Sequence, residues 1–126
     1  MKPYKPEGYN DLSAYLIVDG AQQMIDLLVE LFEGKELRKF HRKDKIMHAE
    51  VQIGDSVIML ADSTAQYPQN STILHVYVPN PDAVYKKALE LGCEGYKEPT
   101  QLNEDDDKRG TFKDFAGNMW SIASQV

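Results

Sequence analysis

Residues 14–32 read AYLIVDGAQQMIDLLVELF, and residues 74–92 read LHVYVPNPDAVYKKALELG. An offset of about 60 residues places Tyr15 on His75 and Leu31 on Leu91. Each stretch begins with β-branched and aromatic residues, which favour a strand, and continues with apolar residues at helical spacing. An internal repeat of this kind predicts that the chain is built from two copies of one supersecondary unit.

Local signals predict where both helices begin. Asp19 is placed to cap the first helix, and Gln22, three residues later, would complete a capping box. Asn80 is the expected cap of the second helix, with Pro81 at its first position, and Gly92 is expected to end it.

Period-two patterns follow each helix and predict strands. Three strands are predicted in each half: residues 36–42, 46–53 and 56–61, then residues 94–102, 109–114 and 119–124. Asp44-Lys45 and Gly54-Asp55 are the expected turns of the first half. The fold class is therefore predicted to be α+β, with two βαβββ modules.

The two modules are predicted to form one domain. They span residues 11–62 and 71–125, and the polar segment 63–70 is the linker between them. A helix covers only one face of its sheet, so the other face must curl or meet a second sheet. Two sheets joined edge to edge would form a cupped, incomplete barrel with a polar lining.

Composition and charge narrow the classes of partner. The 126 residues carry a net charge of -6, and an acidic surface repels phosphate backbones and anionic lipids. We therefore expect neither a nucleic-acid nor a membrane partner. The single cysteine, Cys93, excludes an internal disulfide, and the N-terminus shows no apolar signal segment, so a cytoplasmic location is expected.

Two further stretches carry a family resemblance. Residues 114–121 read DFAGNMWS, and residues 47–62 read MHAEVQIGDSVIMLAD. With the paired modules, they resemble the vicinal oxygen chelate superfamily, which holds glyoxalases, bleomycin-resistance proteins and extradiol dioxygenases. Residues 47–62 are similar to its PhnB-like branch. The resemblance implies the cupped fold, a small-molecule ligand and a homodimer.

The same resemblance implies a position for a divalent metal ion. Metal-dependent members use side chains from the first and last strand of each module, which correspond here to Tyr15, Ile58, His75 and Ser121. Only His75 is an ordinary ligand, because Ile58 has no donor atom and Ser121 stands where a carboxylate is usual. We therefore expect no metal cofactor, and a displaced metal site is the alternative.

Side chains expected on the cup are the candidate functional residues. The candidate ligand-binding residues are Tyr15, His48, Glu50, His75, Tyr77, Arg109, Trp120 and Ser121. His48 and Glu50 share one strand face, where a carboxylate can orient an imidazole, and with His75 they are the candidate catalytic residues. The alternative for these three is a polar network that lines the cavity.

Other residues have a structural alternative. Arg109 could clamp an anionic ligand or form a surface salt bridge, and Trp120 could stack on a flat ligand or pack in the core with Phe112. His41 is expected at a solvated strand end, and the acidic run at residues 104–107 in a solvated loop at the cavity rim.

Three functions remain open from the sequence. The first is a glyoxalase/bleomycin-resistance-like protein that binds a small molecule without a metal. The second is a lyase, isomerase or dioxygenase-type enzyme that uses His48, Glu50 and His75, with or without a divalent metal. The third is a structural or regulatory dimer.

Overall fold

The computed structural model describes residues 2–104 and 106–126, and the chain divides into two compact units between Asn70 and Ser71. Each unit consists of one strand, one helix and three further strands, as the repeat predicts. Module 1 contains β1 (Tyr15–Val18), α1 (Ala21–Phe32), β2 (Lys35–Arg42), β3 (Lys45–Ile53) and β4 (Ser56–Asp62). Module 2 contains β5 (Ile73–Tyr77), α2 (Pro81–Glu90), β6 (Glu94–Thr100), β7 (Lys108–Lys113) and β8 (Met119–Ser124).

Each module has one mixed, four-stranded sheet with the same topology. The strand order is β1-β4-β3-β2 in module 1 and β5-β8-β7-β6 in module 2. The first strand of each module runs parallel to the last, and the other neighbours are antiparallel. The predicted α+β class with two βαβββ modules is confirmed. No helix of the described residues is both long and apolar enough to cross a bilayer.

The core of each module lies between its helix and one face of its sheet. In module 1 the sheet residues with no exposed surface are Leu16, Val18, Ala49, Val51 and Leu60. They pack under the apolar side of α1, and in module 2 α2 packs on the sheet in the same way. Burying these side chains contributes roughly 1.5–3 kcal/mol for each large aliphatic residue. The opposite face of each sheet is therefore left for other contacts.

The helix α1 begins without the predicted capping box. Its N-cap residue is Gly20, with a left-handed φ of 102°, and no side chain caps it from that position. The side chain of Asp62, at the end of β4, accepts hydrogen bonds from the backbone N–H groups of Ala21 (2.8 Å) and Ile46 (2.7 Å). A distant residue therefore supplies the acceptor that the sequence assigned to Asp19.

The two residues of the predicted box have other partners. Asp19 accepts a hydrogen bond from the hydroxyl of Ser63, and the Gln22 amide donates to Asp26 at 2.9 Å. The prediction was wrong because a capping box requires the chain before the helix to be extended, whereas Gly20 turns it left-handed.

The helix α2 begins and ends as predicted. The Asn80 side chain accepts a hydrogen bond from the Ala83 N–H at 3.1 Å, and Pro81 occupies the first helical turn. Gly92 follows the helix with a φ of 97°, a conformation that suits glycine.

The β2–β3 hairpin differs by one residue from the prediction. Lys43 and Asp44 form its turn, rather than Asp44 and Lys45, and Lys43 has a φ of 59°. In module 2, the acidic run predicted as a solvated loop covers residues 104–107. Of these, Asp105 lies outside the described residues.

The last hairpin of module 2 is held together by a buried carboxylate. Asp114 accepts hydrogen bonds from the N–H groups of Ala116 (2.9 Å) and Asn118 (3.0 Å) and from the Trp120 indole (2.9 Å). Asn118 in turn accepts a hydrogen bond from the N–H of Thr72, which precedes β5. The turn therefore connects β8 to the start of its parallel neighbour.

Candidate functional site

The face of the module 1 sheet that is turned away from α1 carries a group of polar side chains. We call it the open face, and its residues on β1, β3 and β4 include Tyr15, Ile17, His48, Glu50, Met59 and Ala61. Strand alternation explains their common side, because residues two apart on a strand point in the same direction. The apolar partners of the same strands fill the core beneath the helix.

Four of the polar side chains in module 1 form a continuous hydrogen-bond chain. The Tyr15 hydroxyl lies 3.0 Å from His48 Nδ1, and His48 Nε2 lies 2.8 Å from Glu50 Oε2. The other Glu50 oxygen accepts a hydrogen bond of 2.6 Å from the hydroxyl of Tyr9. Tyr9 lies in the segment before β1, so the fold joins two chain regions that are 41 residues apart.

Glu50 is the charged centre of this chain. Its exposed fraction is only 5%. Burial alone would raise its pKa, but hydrogen bonds from Tyr9 and His48, together with the positive charges of His48 and Arg38, outweigh burial. The pKa of Glu50 therefore lies below the ordinary glutamate value, and the side chain is ionised at neutral pH.

The ionised carboxylate determines where the protons lie when His48 is neutral. Glu50 accepts at both oxygens, so His48 Nε2 carries the proton that it donates to Glu50. Nδ1 is then an acceptor, and the Tyr15 hydroxyl donates to it. Burial, followed by the charge of Glu50, raises the pKa of Tyr15, so its hydroxyl stays protonated. The Tyr15 oxygen can then only accept a hydrogen bond from a further partner.

A cavity of about 940 Å³ opens beside Tyr15 within module 1. Its lining comes from the open face, the β2–β3 hairpin and the segment after β4: Tyr15, Ile17, Arg42, Lys43, Asp44, Lys45, Ile46, Met47, Ala61, Asp62, Thr64, Ala65, Gln66 and Tyr67. Its size falls within the ordinary range for small-molecule sites. Tyr15 is the member of the hydrogen-bond chain that reaches this cavity.

The cavity combines aromatic side chains with positive charge. Tyr67 and Met47 are 60% and 56% exposed, so their side chains are available to a ligand. Lys45 donates a hydrogen bond to the backbone oxygen of Ser63. Arg42 and Lys43 form no ion pair with any residue that the structure describes, and they line the hairpin end of the cavity together with the Asp44 carboxylate.

Module 2 holds the second group of candidate residues. His75 Nδ1 lies 3.0 Å from the Ser121 hydroxyl, and the ring of Tyr77 meets that of His75 edge-on at 5.0 Å. The Tyr77 hydroxyl donates to Asp107 at 2.8 Å, and this hydrogen bond raises the pKa of Tyr77. Arg109 is exposed and lines a smaller cavity of about 340 Å³.

Two aromatic residues of module 2 lie in the core. Trp120 and Phe112 have no exposed surface, and the Trp120 indole donates to Asp114. The structure thus differs from the expectation that Trp120 contacts a ligand, because alternation turns it toward α2. Cys93 is also buried, and burial followed by the charge of Asp114 raises its pKa to about 11. Its thiol is therefore a poor nucleophile.

The residues do not fit the metal position that the resemblance implies. Tyr15 is paired with Met59, not with Ile58, which is buried and belongs to the opposite face. The expected position was wrong by one residue, because a one-residue change of register exchanges the faces of a strand. In module 2 the matching pair is His75 and Ser121. The module 1 pair offers a phenol and a thioether, and the module 2 pair offers an imidazole and a hydroxyl, so neither pair includes a carboxylate for a divalent ion.

A displaced metal site is also unsupported by the donors. Both ring nitrogens of His48 already have hydrogen-bond partners, and both oxygens of Glu50 do as well. Across residues 2–104 and 106–126, no group of three or more His, Cys, Asp or Glu side chains could hold a metal ion.

Sequence analysis missed part of this site. It did not single out Tyr9, which has no motif around it, nor Tyr67, which lies in the segment interpreted as a linker. His41 is exposed at the end of β2, as expected, but the next two residues, Arg42 and Lys43, line the cavity. The basic run at the hairpin tip was the one available signal, and only the folded chain places it beside Tyr15.

Comparison with known proteins adds relatives without an established function. No family model matches the chain. It is 29% identical to the uncharacterized protein Rv0887c of Mycobacterium tuberculosis over 91% of this chain and 74% of that protein.

Solved structures resemble the chain over nearly its whole length. A member of the glyoxalase/bleomycin resistance protein/dioxygenase superfamily from Sphaerobacter thermophilus has a TM-score of 0.68 and 18% identity, covering 90% of this chain and 94% of that one. TnmS3, an antibiotic binding protein from Streptomyces, has a TM-score of 0.70 and 17% identity, covering 94% and 100%. FosX, a fosfomycin resistance protein from Listeria monocytogenes solved with Mn(II), has a TM-score of 0.68 and 15% identity, covering 93% and 90%.

These similarities agree with the paired βαβββ modules and with the resemblance drawn from residues 47–62 and 114–121. The chain has the fold of the glyoxalase/bleomycin-resistance/dioxygenase group, the vicinal oxygen chelate superfamily.

Proposed function

We propose that this chain binds a flat, anionic small molecule in the module 1 cavity and does so without a metal ion. The observation that carries the proposal is the cavity itself, with two tyrosines, an apolar floor and two cations at one end. Aromatic side chains stack on flat ligands, and a guanidinium pairs with a carboxylate or sulfonate. Non-covalent binding requires only such shape and a few polar anchors.

The comparisons are consistent with this function. TnmS3 is described as an antibiotic binding protein, so a protein of this fold can serve to bind a small molecule. Among residues 2–104 and 106–126, no three His, Cys, Asp or Glu side chains are placed together to hold a metal ion. The flat, anionic character of the ligand is therefore inferred from the side chains that line the cavity.

A fluorescent anionic aromatic dye, 8-anilinonaphthalene-1-sulfonate, tests the proposal directly. We expect the folded protein to bind one dye molecule at the cavity. The variants Tyr67→Ala and Arg42→Gln remove a stacking surface and a cation, and each should weaken binding by about tenfold, because such contacts contribute roughly 1–2 kcal/mol. Fluorescence titration gives the dissociation constants.

The matched control is Tyr96→Ala, which removes an exposed tyrosine from module 2. This variant should bind the dye like the unmodified protein. Dye binding that does not change in Tyr67→Ala and Arg42→Gln, or that does not occur, would contradict the proposal.

An enzyme remains the second candidate, and one observation favours it. The short contacts of Glu50 with His48, and of His48 with Tyr15, resemble the arrangement in which a carboxylate orients an imidazole for proton transfer. His75, the third residue expected in such a site, lies in module 2 and pairs with Ser121. A metal-free lyase or isomerase would therefore use the module 1 pair.

A further inference from the structure

We infer that Tyr15, His48 and Glu50 form a proton relay that deprotonates a bound ligand carrying a weakly acidic O–H group, a phenol or an enol. This inference rests on the proposed function, because the ligand must first occupy the cavity beside Tyr15. It goes further by naming the group on the ligand and the chemistry at that group.

The direction of the hydrogen bonds selects the ligand group. While His48 is neutral, Tyr15 donates its proton to Nδ1 and can offer only an oxygen lone pair to the cavity. A ligand group at this point must therefore be a donor. An O–H group fits this requirement, whereas a carbonyl or an ionised oxygen would meet the Tyr15 lone pair and be repelled.

The geometry also provides a path for the proton. The ligand O–H bond breaks as a new O–H bond forms on Tyr15, and the original Tyr15 proton moves to His48 Nδ1. The ligand becomes an anion and His48 becomes an imidazolium. The proton count and the electron count both balance, so the step requires no oxidant or second reactant. It follows the same logic as a hydroxyl–histidine–carboxylate triad.

Charges around the relay favour the transferred state. The titratable and charged groups that face His48 are Tyr15, Glu50, Tyr9 and Arg38. The Glu50 carboxylate stabilises the imidazolium at 2.8 Å, and its exposed fraction of 5% keeps this attraction strong. The ligand anion lies in the same cavity as the cations Arg42 and Lys43.

Within this relay, Tyr15 is the catalytic residue because it touches the ligand. His48 holds the proton, Glu50 orients and stabilises His48, and Tyr9 is a positioning residue that acts through Glu50. The Tyr15 ring lies 5.6 Å from that of His48, at an angle of 47°. This contact keeps the two rings in place when the hydroxyl reverses its role from donor to acceptor.

A phenol whose anion absorbs visible light is a suitable probe. We would add 4-nitrophenol at a pH below its own pKa, where it is mostly neutral in water, and measure both its absorption and its displacement of the anilinonaphthalene dye. We expect the bound probe to absorb as the phenolate, with its pKa lowered by about one pKa unit.

Two variants separate the relay from simple binding. Tyr15→Phe keeps the ring but removes the hydroxyl, and His48→Gln keeps a polar side chain that cannot take up the proton. We expect both to displace the dye with 4-nitrophenol but to hold the probe as the neutral phenol. Tyr96→Phe, the same change in module 2, should behave like the unmodified protein. Circular dichroism checks folding, and Tyr15→Phe decides the result if His48→Gln does not fold.

The outcomes distinguish this inference from the proposed function. A neutral bound probe in the unmodified protein overturns the relay, and so does a phenolate that persists in both variants. Dye that binds but is not displaced by 4-nitrophenol also overturns it, while the proposed function stands. If the dye itself does not bind, both the proposed function and the relay are contradicted.

Discussion

At the scale of single residues, the contacts of Glu50 have the largest consequences. A buried carboxylate is stable only when its charge is compensated, and here both oxygens accept hydrogen bonds, from Tyr9 and His48. The same contacts hold the pKa of Glu50 below its ordinary value of 4.5. The ionised Glu50 side chain therefore links the folding stability of the protein to the protonation state of the candidate site.

Replacing Glu50 with Gln is expected to destabilise the protein in a pH-dependent way. At pH 7 the loss should be about 2 kcal/mol, because charge-assisted hydrogen bonds become neutral ones in a buried position. A folded-state pKa below the unfolded value adds stability that is complete above the unfolded value and is lost as the pH falls through the folded value. Urea unfolding at pH 7 and at acid pH measures both effects.

The difference between Glu50→Gln and the unmodified protein should therefore shrink below pH 4.5, the ordinary value for the side chain. Glu7→Gln, at an exposed position before β1, is the matched control and should leave the unfolding free energy nearly unchanged. A difference of equal size at both pH values would contradict the role assigned to the Glu50 charge.

At the scale of elements, the two helices show how similar repeats reach the same structure by different means. The helix α2 takes its cap from Asn80, directly before it, whereas α1 takes its acceptor from Asp62, which is 41 residues away in sequence and lies at the end of β4, beside Val18. Asp62 also accepts from the Ile46 N–H near the start of β3. One carboxylate therefore ties the helix to two strands.

We expect Asp62→Ala to cost about 2 kcal/mol of unfolding free energy, because two backbone N–H groups lose their acceptor. Asp19→Ala removes the residue that sequence signals assigned as the cap, and it should cost less, since the Asp19 side chain accepts from the Ser63 hydroxyl, whereas Asp62 accepts from two backbone N–H groups. Thermal or urea unfolding of both variants checks the order. An equal or larger loss in Asp19→Ala would show that Asp62 is not the main acceptor.

At the scale of the whole molecule, the edge strands of the two sheets bear on whether the chain pairs with a second copy. β1 and β5 each lie at the edge of a sheet. The β1 edge is partly covered, since Ile17 exchanges hydrogen bonds with Asn70. On β5, Ile73 and Tyr77 are 76% and 63% exposed. An uncovered edge with large apolar side chains favours pairing with another chain.

The family resemblance implies a homodimer, and a substitution on the β5 edge tests this prediction. We expect sedimentation equilibrium at micromolar concentration to give twice the monomer mass. Ile73→Lys should shift the population toward the monomer, because a lysine on an edge strand opposes pairing. Val126→Lys, at an exposed C-terminal position, is the matched control and should stay dimeric. A monomer in the unmodified protein would contradict the prediction.

The sequence by itself determined the two βαβββ modules, the number of their strands and the ends of α2. Each of these depends on periodicity or on signals a few residues long, such as Asn80-Pro81 before the helix and Gly92 after it. Alternation along β3 likewise placed His48 and Glu50 on one face before any contact was known.

Only the tertiary structure decided the features that depend on distant parts of the chain. The register of β1 on β4 sets Met59, not Ile58, opposite Tyr15. The cap from Asp62, the contact of Tyr9 with Glu50 and the cavity beside the β2–β3 hairpin all join segments that the sequence separates. Such contacts follow from strand pairing, and local patterns carry no information about which distant side chain meets which.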